Sequence, residues 1–453
     1  MLSVITPRQR QQLPACRDLP APPCVGDSDL ANEATKRAAG KPAGLPRCSR
    51  KGDPMRSLMM VTALLCIAAC CNESSESATD IAQSEAPQDA TLLEMKHAET
   101  FKVYERDGYR IVDLRAPLVS WGGSAQGADR SARIVLAPKT LDAPPLIGHL
   151  EDAVVVRTPV ERIAVNDGSL EAIVVALEVE DRLVAVGGVK SYNDSIRALA
   201  RSGELAQIGY GWHSPPNLGP LLESEPDVFL MDLGDLGYAE HYKRIKDLGV
   251  PVVPVFLESE TSYMGPVDYV RLVGMMSGRE AEADAFVAMV AENVRDLRSL
   301  VADRPPRTVL NAWYDGSGRW MATVRNAENA LLEDAGGINP MAEPDDVRLD
   351  NFVRVGTEVL LERGRDVDCW IIRDSHSMAF DDVAVLENFR SWREGCLFAS
   401  DGMANVEADA FDLYETGPIR PDLVLGDMVR MLHPDARDEP FVYYRPDTKT
   451  VRP

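Results

Sequence analysis

The chain has 453 residues, of which 45% are apolar and 26% are charged, and its formal net charge is -23. This composition excludes a disordered or fibrous protein and provides enough apolar residues for two or three cores. Residues 1–54 hold nine Lys/Arg and five Asp/Glu, so the rest of the chain is more acidic than the whole. Because so acidic a body repels phosphate backbones, we expect no nucleic-acid partner.

A short apolar segment follows residue 54. The stretch "MRSLMMVTALLCIAACC" begins at Met55 with one Arg and then runs apolar from Leu58 to Ala69. Its charge and length are typical of a secretory signal, and it is too short to remain as a membrane-spanning helix. The tetrapeptide ending at Cys70, "IAAC", resembles the bacterial lipobox, which implies that Cys70 becomes the lipid-modified first residue. The alternative is a chance apolar helix with clustered thiols.

The flanks of this segment predict three different parts. Asn72 to Ala90 is rich in Ser, Glu, Ala and Gln, the composition of a flexible tether. Residues 1–54 show neither a helical nor a strand period. We therefore predict an over-extended start outside the mature protein (1–54), a lipoprotein signal peptide (55–69) and a tether (70–94).

The next part of the chain favours β structure. Phe101 to Leu114, "FKVYERDGYRIVDL", alternates around Asp107-Gly108, a dipeptide that suits the positive φ angles of a tight hairpin turn. The runs "ARIVLAP" and "AVVVRTP" follow. Residues 95–158 are therefore predicted to form a small β-rich subdomain.

From residue 159 apolar strands alternate with helical runs, which predicts parallel sheets covered on both faces. The alternation is interrupted by the longest helical pattern, Arg279 to Val301, which ends before Pro305-Pro306. On its apolar face we expect Phe286, Met289, Val290, Val294, Leu297, Leu300 and Val301. The predicted fold is α/β, with two Rossmann-like parallel-sheet lobes joined by one long rigid helix. The predicted parts are an N-terminal lobe (159–263), connecting helices (264–304) and a C-terminal lobe (305–453).

An ordered series of segments in this region resembles a known family. The segments are "PVERIAV" from Pro159, "DRLVAVGG" from Asp181, "PNLGPLLESEPDVFL" from Pro216, "LGVPVVPV" from Leu248, "LLEDAGG" from Leu331 and "TGPIRPDLVLGDMVRMLHPD" from Thr416. Together they resemble the periplasmic binding proteins of iron-siderophore, haem and corrinoid importers, and the resemblance covers roughly two-thirds of the chain. It implies a monomeric, lipid-anchored protein of the periplasm or cell surface that hands a metal chelate to an ABC permease and ATPase.

The resemblance also implies residues for permease docking. In this family one Glu on each lobe meets an Arg of the permease. Glu358 in "VGTEVLLERG" stands at that position in the second lobe. The first lobe has Gly219 where the family has Glu, and Glu223, one helical turn on, is the candidate replacement. The alternative for both carboxylates is an ordinary solvated helix surface.

Ligand candidates are residues that directly follow strands, because the carboxyl ends of parallel strands line the crevice of an open α/β sheet. Aromatic faces and an occasional cation suit a large, flat or chelated ligand. For each aromatic residue the alternative is core packing, and Arg373 has a second possible role as the partner of Asp374 or Asp401. The candidates are Trp212, His213, Tyr238, Trp313, Tyr314, Trp320 and Arg373.

The sequence is also compatible with two other functions. A Zn²⁺- or Mn²⁺-binding protein of similar architecture would use His and carboxylates, but only His213, His241 and His376 lie at possible cleft positions. A secreted enzyme is the second, although the chain has no GxSxG, HExxH, P-loop or GxGxxG signature. We therefore predict no catalytic residues, no direct metal ligands and no resident cofactor. Cys369 and Cys396 form either a disulfide or two separate buried thiols.

Overall fold

The computed structural model describes residues 89–116, 130–211, 215–232, 238–324, 326–342, 352–373 and 383–447. The predicted signal peptide, Cys70 and most of the tether lie outside these ranges. Within them, no helix combines the length and apolar character needed to cross a membrane.

Five strands form the first sheet, in the order β1-β2-β3-β4-β5. Neighbours are antiparallel except β4 and β5, which are parallel. Asp107 (φ 51°) and Gly108 (φ 80°) both adopt the left-handed conformation that a two-residue hairpin turn requires, so the predicted hairpin is confirmed. The strands are β1 (Thr91–Leu93), β2 (Phe101–Arg106), β3 (Tyr109–Ala116), β4 (Arg130–Pro138) and β5 (Val154–Thr158).

The second sheet contains five parallel strands in the order β10-β9-β6-β7-β8. The predicted alternation of strands and helices is confirmed here, while the two-residue strand β8 is too short to produce a periodic pattern. The strands are β6 (Ile163–Val165), β7 (Leu183–Val186), β8 (Ala206–Gln207), β9 (Val228–Met231) and β10 (Val252–Pro254). The helices are α1 (Gly168–Ala176), α2 (Asp194–Ser202), α3 (Leu218–Glu223) and α4 (Tyr238–Asp247).

Two helices follow this first lobe, α5 (Gly265–Ser277) and the 22-residue α6 (Glu280–Val301), which is about 33 Å long at 1.5 Å per residue. The predicted long helix is confirmed. The prediction that Met289 and Leu300 lie on its apolar face is wrong, since the two side chains are 36% and 45% exposed. They lie one position off the buried stripe, which repeats at four and three residues: Ala283, Val287, Val290, Val294, Leu297 and Val301.

Buried carboxylates fix the first sheet to α5. Asp268, which is 0% exposed, accepts hydrogen bonds from the backbone N–H groups of His97 (2.7 Å) and Ala98 (3.0 Å) and pairs with Arg271 (2.8 Å). Glu260 accepts from the backbone N–H of Glu99 at 2.8 Å. One continuous apolar core includes residues of the first sheet and of both lobes. The hydrogen bonds of Asp268 and Glu260 therefore attach the segment before β2 to the region around α5.

The second lobe has a mixed sheet in the order β14-β12-β11-β15-β16-β19, with β13 beside β11. The strands β11, β13, β15 and β16 run parallel, which confirms the predicted parallel sheet, and the antiparallel strands β12 and β19 extend it on the two sides. A five-residue turn between β11 and β12, with Gly316 (φ 76°) and Gly318 (φ 89°), is too short for a parallel crossover and reverses the chain.

The remaining strands and helices belong to the second lobe. Its last helix, α12, packs against both α6 and α7. The strands are β11 (Arg307–Tyr314), β12 (Trp320–Thr323), β13 (Gly337–Ile338), β14 (Phe352–Val355), β15 (Cys369–Ile371), β16 (Leu397–Ala399), β17 (Ala404–Asn405), β18 (Ala410–Phe411) and β19 (Arg445–Pro446). The helices are α7 (Ala327–Asp334), α8 (Thr357–Gly364), α9 (Val383–Leu386), α10 (Arg390–Glu394), α11 (Asp412–Glu415) and α12 (Pro421–Leu432).

Cys369 and Cys396 form a disulfide with an S–S distance of 2.06 Å. Cys369 is the first residue of β15, and Cys396 directly precedes the neighbouring strand β16. Of the two alternatives that the sequence leaves open, the structure has the cross-link.

Candidate ligand cleft at the carboxyl ends of the strands

Two predicted ligand residues meet at the carboxyl edge of the second sheet. Trp313 is near the end of β11, and Arg373 follows β15. The guanidinium carbon of Arg373 lies 4.2 Å from the ring centre of Trp313 and 4.8 Å from that of Phe352. The two rings pack edge to face at 4.9 Å. Side chains from the end of β11, the start of β14 and the segment after β15 thus form one cationic and aromatic cluster, of which Phe352 was not predicted.

The charge of Arg373 is held in place by Glu328. Nη2 of Arg373 lies 2.7 Å from Oε2 of Glu328, whose other oxygen accepts from Asn311 at 3.0 Å. Burial is the largest single influence and lowers the pKa of Arg373. The charges of Glu328, Tyr414 and Tyr444 and the hydrogen bond to Glu328 together outweigh it, so the pKa is raised and the guanidinium stays protonated.

Arg373 pairs with Glu328, whereas Asp401, one of its two alternative partners, pairs with Arg445 at 2.7 Å. The other alternative partner, Asp374, lies outside the described residues. Arg373 itself adopts φ 52°, a conformation that residues other than Gly rarely adopt. Backbone strain of this kind is concentrated at functional sites, which is consistent with a role for Arg373 in binding.

Trp320 is a core residue. It is 0% exposed, and its Nε1 donates a hydrogen bond to Thr357 Oγ1 at 3.1 Å. Its ring lies 5.5 Å from that of Trp370 inside the lobe. The expectation that Trp320 contacts a ligand is therefore wrong, because the turn before β12 directs this side chain into the core. Tyr314 is half-buried and packs edge to face on Trp320 at 5.5 Å, at the border between core and edge.

The first lobe contributes a second carboxyl edge. Asn166, directly after β6, donates from Nδ2 to the backbone oxygen of Asp232 at 2.6 Å and accepts from its N–H at 2.8 Å, which joins the ends of β6 and β9. Tyr238 begins α4. Trp212 and His213 lie outside the described residues. The ligand roles of these three residues stay predictions.

The two lobes meet through residues 402–416, which we call the bridging segment. It leaves the second lobe after β16 and reaches the loop that follows β7 in the first lobe. Lys190 Nζ lies 2.5 Å from Asp409 Oδ2, and the backbone N–H of Tyr192 donates to Glu415 Oε1 at 2.7 Å. The carboxyl edges of both sheets therefore face a common region. Sequence reasoning missed these residues, and the only signal was the charged loop "VKSYND" after a strand.

The residues predicted to dock on a permease occupy comparable places in the two lobes. Glu358 is exposed and is the second residue of α8, while Gly219 is exposed and is the second residue of α3. Glu223 is exposed at the end of α3, four residues and about 6 Å further along the helix axis. The docking role of these carboxylates stays a prediction.

Across the described ranges, no group of three or more His, Cys, Asp or Glu side chains is arranged to hold a metal ion. His241 is on α4, whereas His213 and His376 lie outside those ranges.

A cavity of about 880 Å³ lies beside α6, away from both carboxyl edges. Its lining includes Tyr263, Met264, Arg298, Arg304 and Asp334. Arg304 precedes β11 and Asp334 precedes β13, so this cavity borders the amino ends of the second lobe's strands. Arg298 pairs with Asp334 at 3.3 Å and Arg304 with Asp435 at 2.8 Å, which identifies these side chains as parts of surface ion pairs.

Two α/β lobes joined by a long helix, with facing carboxyl edges, are the architecture of a two-lobed solute-binding protein. Residues 163–395 match the family model described as periplasmic binding protein, and because this match covers more than half of the chain, the chain belongs to that family.

The individual proteins that resemble this chain do so at low sequence identity. An uncharacterized lipoprotein of Methanocaldococcus jannaschii is 24% identical over 66% of this chain and 72% of its own length. A periplasmic haem-binding protein of Pseudomonas aeruginosa is 19% identical, with a TM-score of 0.49, over 64% of this chain and 99% of its own. The periplasmic vitamin B12-binding protein of Vibrio cholerae is 14% identical, with a TM-score of 0.45, over 62% and 99%.

Proposed function

We propose that this protein is an extracytoplasmic, lipid-anchored solute-binding protein that captures a metal chelate between its lobes and delivers it to an ABC permease and ATPase. The chelate is a ferric siderophore, haem or a corrinoid. Cys70 carries the anchor, and the protein acts as a monomer at the periplasmic or outer face of a membrane. Family membership supports the binding role, and the lipobox-like segment supports the anchor.

The observation that carries the ligand class is the position of Arg373 over the rings of Trp313 and Phe352. Aromatic faces bind flat or extended ligands by dispersion and burial of apolar area, and a fixed guanidinium orients an oxygen-rich edge. Since Glu328 already neutralises Arg373, the cluster suits a chelate of low net charge better than a strongly anionic one. A bare metal ion would gain nothing from this arrangement.

Delivery to the permease rests on the two exposed helix surfaces. We propose that Glu358 meets a permease Arg in the second lobe and that Glu223 replaces the carboxylate lost at Gly219 in the first. Such rim charges guide orientation and association rate. These carboxylates lie outside the Arg373 cluster, so substituting them should not change ligand affinity.

A thermal-shift panel on the full chain in mild detergent tests the proposal. Ligand at 100 times its Kd adds about 2.7 kcal/mol to the free energy of unfolding, or roughly 3–4 °C for a chain of this size. We expect this shift with haem, cobalamin or a ferric siderophore and none with Zn²⁺ or Mn²⁺. Stabilisation by the metal ions alone would instead identify the metal-binding alternative.

A further inference from the structure

Two carboxyl groups, the buried Glu171 and the half-buried Glu415, lie where the first lobe packs against the bridging segment. Glu171 is on α1 of the first lobe, Glu415 is on α11 of the bridging segment, and the two helices pack against each other. The approach is close, because a Cβ added to Gly168 would lie 2.6 Å from Cγ of Glu415. Glu415 also accepts the backbone N–H of Tyr192 at 2.7 Å. Glu415 is therefore part of the contact between the lobes, and Glu171 lies on the helix that Glu415 approaches.

Glu171 lacks the partners that a buried carboxylate needs. It is 1% exposed, neither of its carboxyl oxygens has a hydrogen bond of good geometry among the described residues, and the nearby Ser191 hydroxyl offsets its burial only in part. An unpaired buried charge costs several kcal/mol, so such a carboxyl group is stable only when it binds a proton or when its site opens to water.

The pKa values of both carboxyl groups are raised in the closed contact. Burial raises the pKa of Glu171 from 4.5 to about 8, with a smaller increase from the charge of Asp167 and a decrease from the Ser191 hydroxyl. Burial likewise raises the pKa of Glu415 to about 8, followed by the charge of Glu171. With pKa values raised to about 8, both carboxyl groups stay largely protonated at neutral pH while the contact is closed.

Among the described residues, the cations near the pair are engaged with other groups. The carboxyl groups of Asp167 on the first lobe and Asp412 on the bridging segment both raise the pKa of Glu415. Lys190 is committed to Asp409, and Arg197 to Asp194 and the backbone oxygen of Ser191. The other titratable or polar groups nearby are the hydroxyls of Tyr192, Tyr210, Ser191 and Thr416.

We propose that Glu171 and Glu415 form a proton-binding latch that holds the bridging segment against the first lobe and releases it as the pair loses its protons. The latch acts on lobe opening, so it does not depend on which ligand the cleft accepts.

The sign of the pH effect follows from proton binding. Between pH 4.5 and about 8 the closed contact binds protons that an open, solvated pair has already released. The closed state is therefore most favoured near pH 4.5, loses stability as the pH rises through this window, and changes little above about pH 8. A carboxyl pair paired with cations would show the opposite trend.

Amide hydrogen exchange of Tyr192 in the ligand-free full chain tests the latch, since this N–H is bonded to Glu415. We expect its protection factor, corrected for the intrinsic exchange rate, to fall at least tenfold between pH 5 and pH 8. Glu171→Gln and Glu415→Gln replace the titrating group by a neutral amide, and each should reduce this change to less than threefold. Glu407→Gln, an exposed carboxylate of the same segment, should keep the wild-type profile.

Three results would overturn the latch. These are a flat profile in the wild-type chain, a profile that rises with pH, or a wild-type slope that persists in a folded Gln variant. If neither Gln variant folds, the pH dependence of the Tyr192 protection factor in the wild-type protein is the test of the latch. Because no ligand is present, failure of the latch leaves the chelate proposal standing, and failure of chelate binding leaves the latch standing.

Discussion

The guanidinium of Arg373 lies over the ring of Trp313, 4.2 Å from its centre, while Glu328 holds the same guanidinium from the side at 2.7 Å. One buried cation is thus fixed by an aromatic face and a carboxylate at the carboxyl edge of the second sheet. A cation held so rigidly keeps the Trp313 ring in one orientation, which reduces the entropy that ligand binding must overcome.

We expect Trp313→Ala to weaken chelate binding and Trp313→Phe to retain most of it. Loss of the aromatic face removes about 1.5–3 kcal/mol of contact energy, roughly 10- to 100-fold in Kd. Isothermal titration with the chelate identified by the thermal-shift panel measures this change. Tyr242→Ala, on the outer helix α4, is the matched control and should bind like the wild type. Equal losses in both variants would remove Trp313 from the site.

We expect Asp268→Ala to lower the free energy of unfolding by about 3 kcal/mol. The substitution leaves the N–H groups of His97 and Ala98 and the charge of Arg271 without their buried acceptor. Urea denaturation measures the change. Asp284 pairs with the same Arg271 from the surface, where it is 68% exposed, so Asp284→Ala should cost less than about 0.5 kcal/mol. Similar costs would mean that the β-rich subdomain is not fixed through Asp268.

We expect loss of the Cys369–Cys396 disulfide to destabilise the second lobe. The bond closes a loop with a sequence separation of 27, and the chain-entropy account gives about 3.5 kcal/mol for a loop of this size. Denaturation of the Cys369→Ala/Cys396→Ala double variant, with and without reductant, measures the effect. Reductant should shift the wild type toward the variant and leave the variant unchanged. If reductant left the denaturation curve of the wild-type protein unchanged, even after complete unfolding, the result would contradict the presence of the disulfide.

We expect Glu358→Lys to reduce uptake by the cognate permease without changing ligand affinity, because Glu358 is exposed on α8 and outside the Arg373 cluster. Transport into proteoliposomes and titration of the free protein separate the two effects. Gly219→Glu restores a carboxylate at the place in α3 that Glu358 occupies in α8, and it should raise the association rate. A loss of ligand affinity as large as the loss of uptake would remove Glu358 from the docking surface.

Much of the fold was predictable because its core elements have strong periods. The hairpin around Asp107-Gly108 and the helix Glu280–Val301 both lie where alternation and helical spacing place them. The antiparallel strands of the second lobe could not be predicted in the same way. The strands β12 and β14 have only four residues each, and their pairing is fixed by a Gly turn and by distant partners.

The site was less predictable than the fold. Trp313 and Arg373 follow from their place at strand ends, but Trp320 follows the same rule and is buried. Phe352, Glu328 and the Glu171–Glu415 pair come from segments far apart in sequence, and their chemistry depends on burial and contact. Periodicity indicates which face of an element is apolar, whereas it does not indicate which polar residues from separate lobes meet.

Direct binding of a chelate to the wild-type chain and to Arg373→Met tests the central claim most directly. Equilibrium titration with haem, cobalamin and a ferric siderophore should show one-to-one binding of one of them. The Arg373→Met variant should bind that ligand at least tenfold more weakly, while Arg430→Met, which removes a cation stacked on Phe441, should bind like the wild type. Binding of Zn²⁺ or Mn²⁺ with no response to any chelate, or chelate binding unaffected by Arg373→Met, would contradict the account.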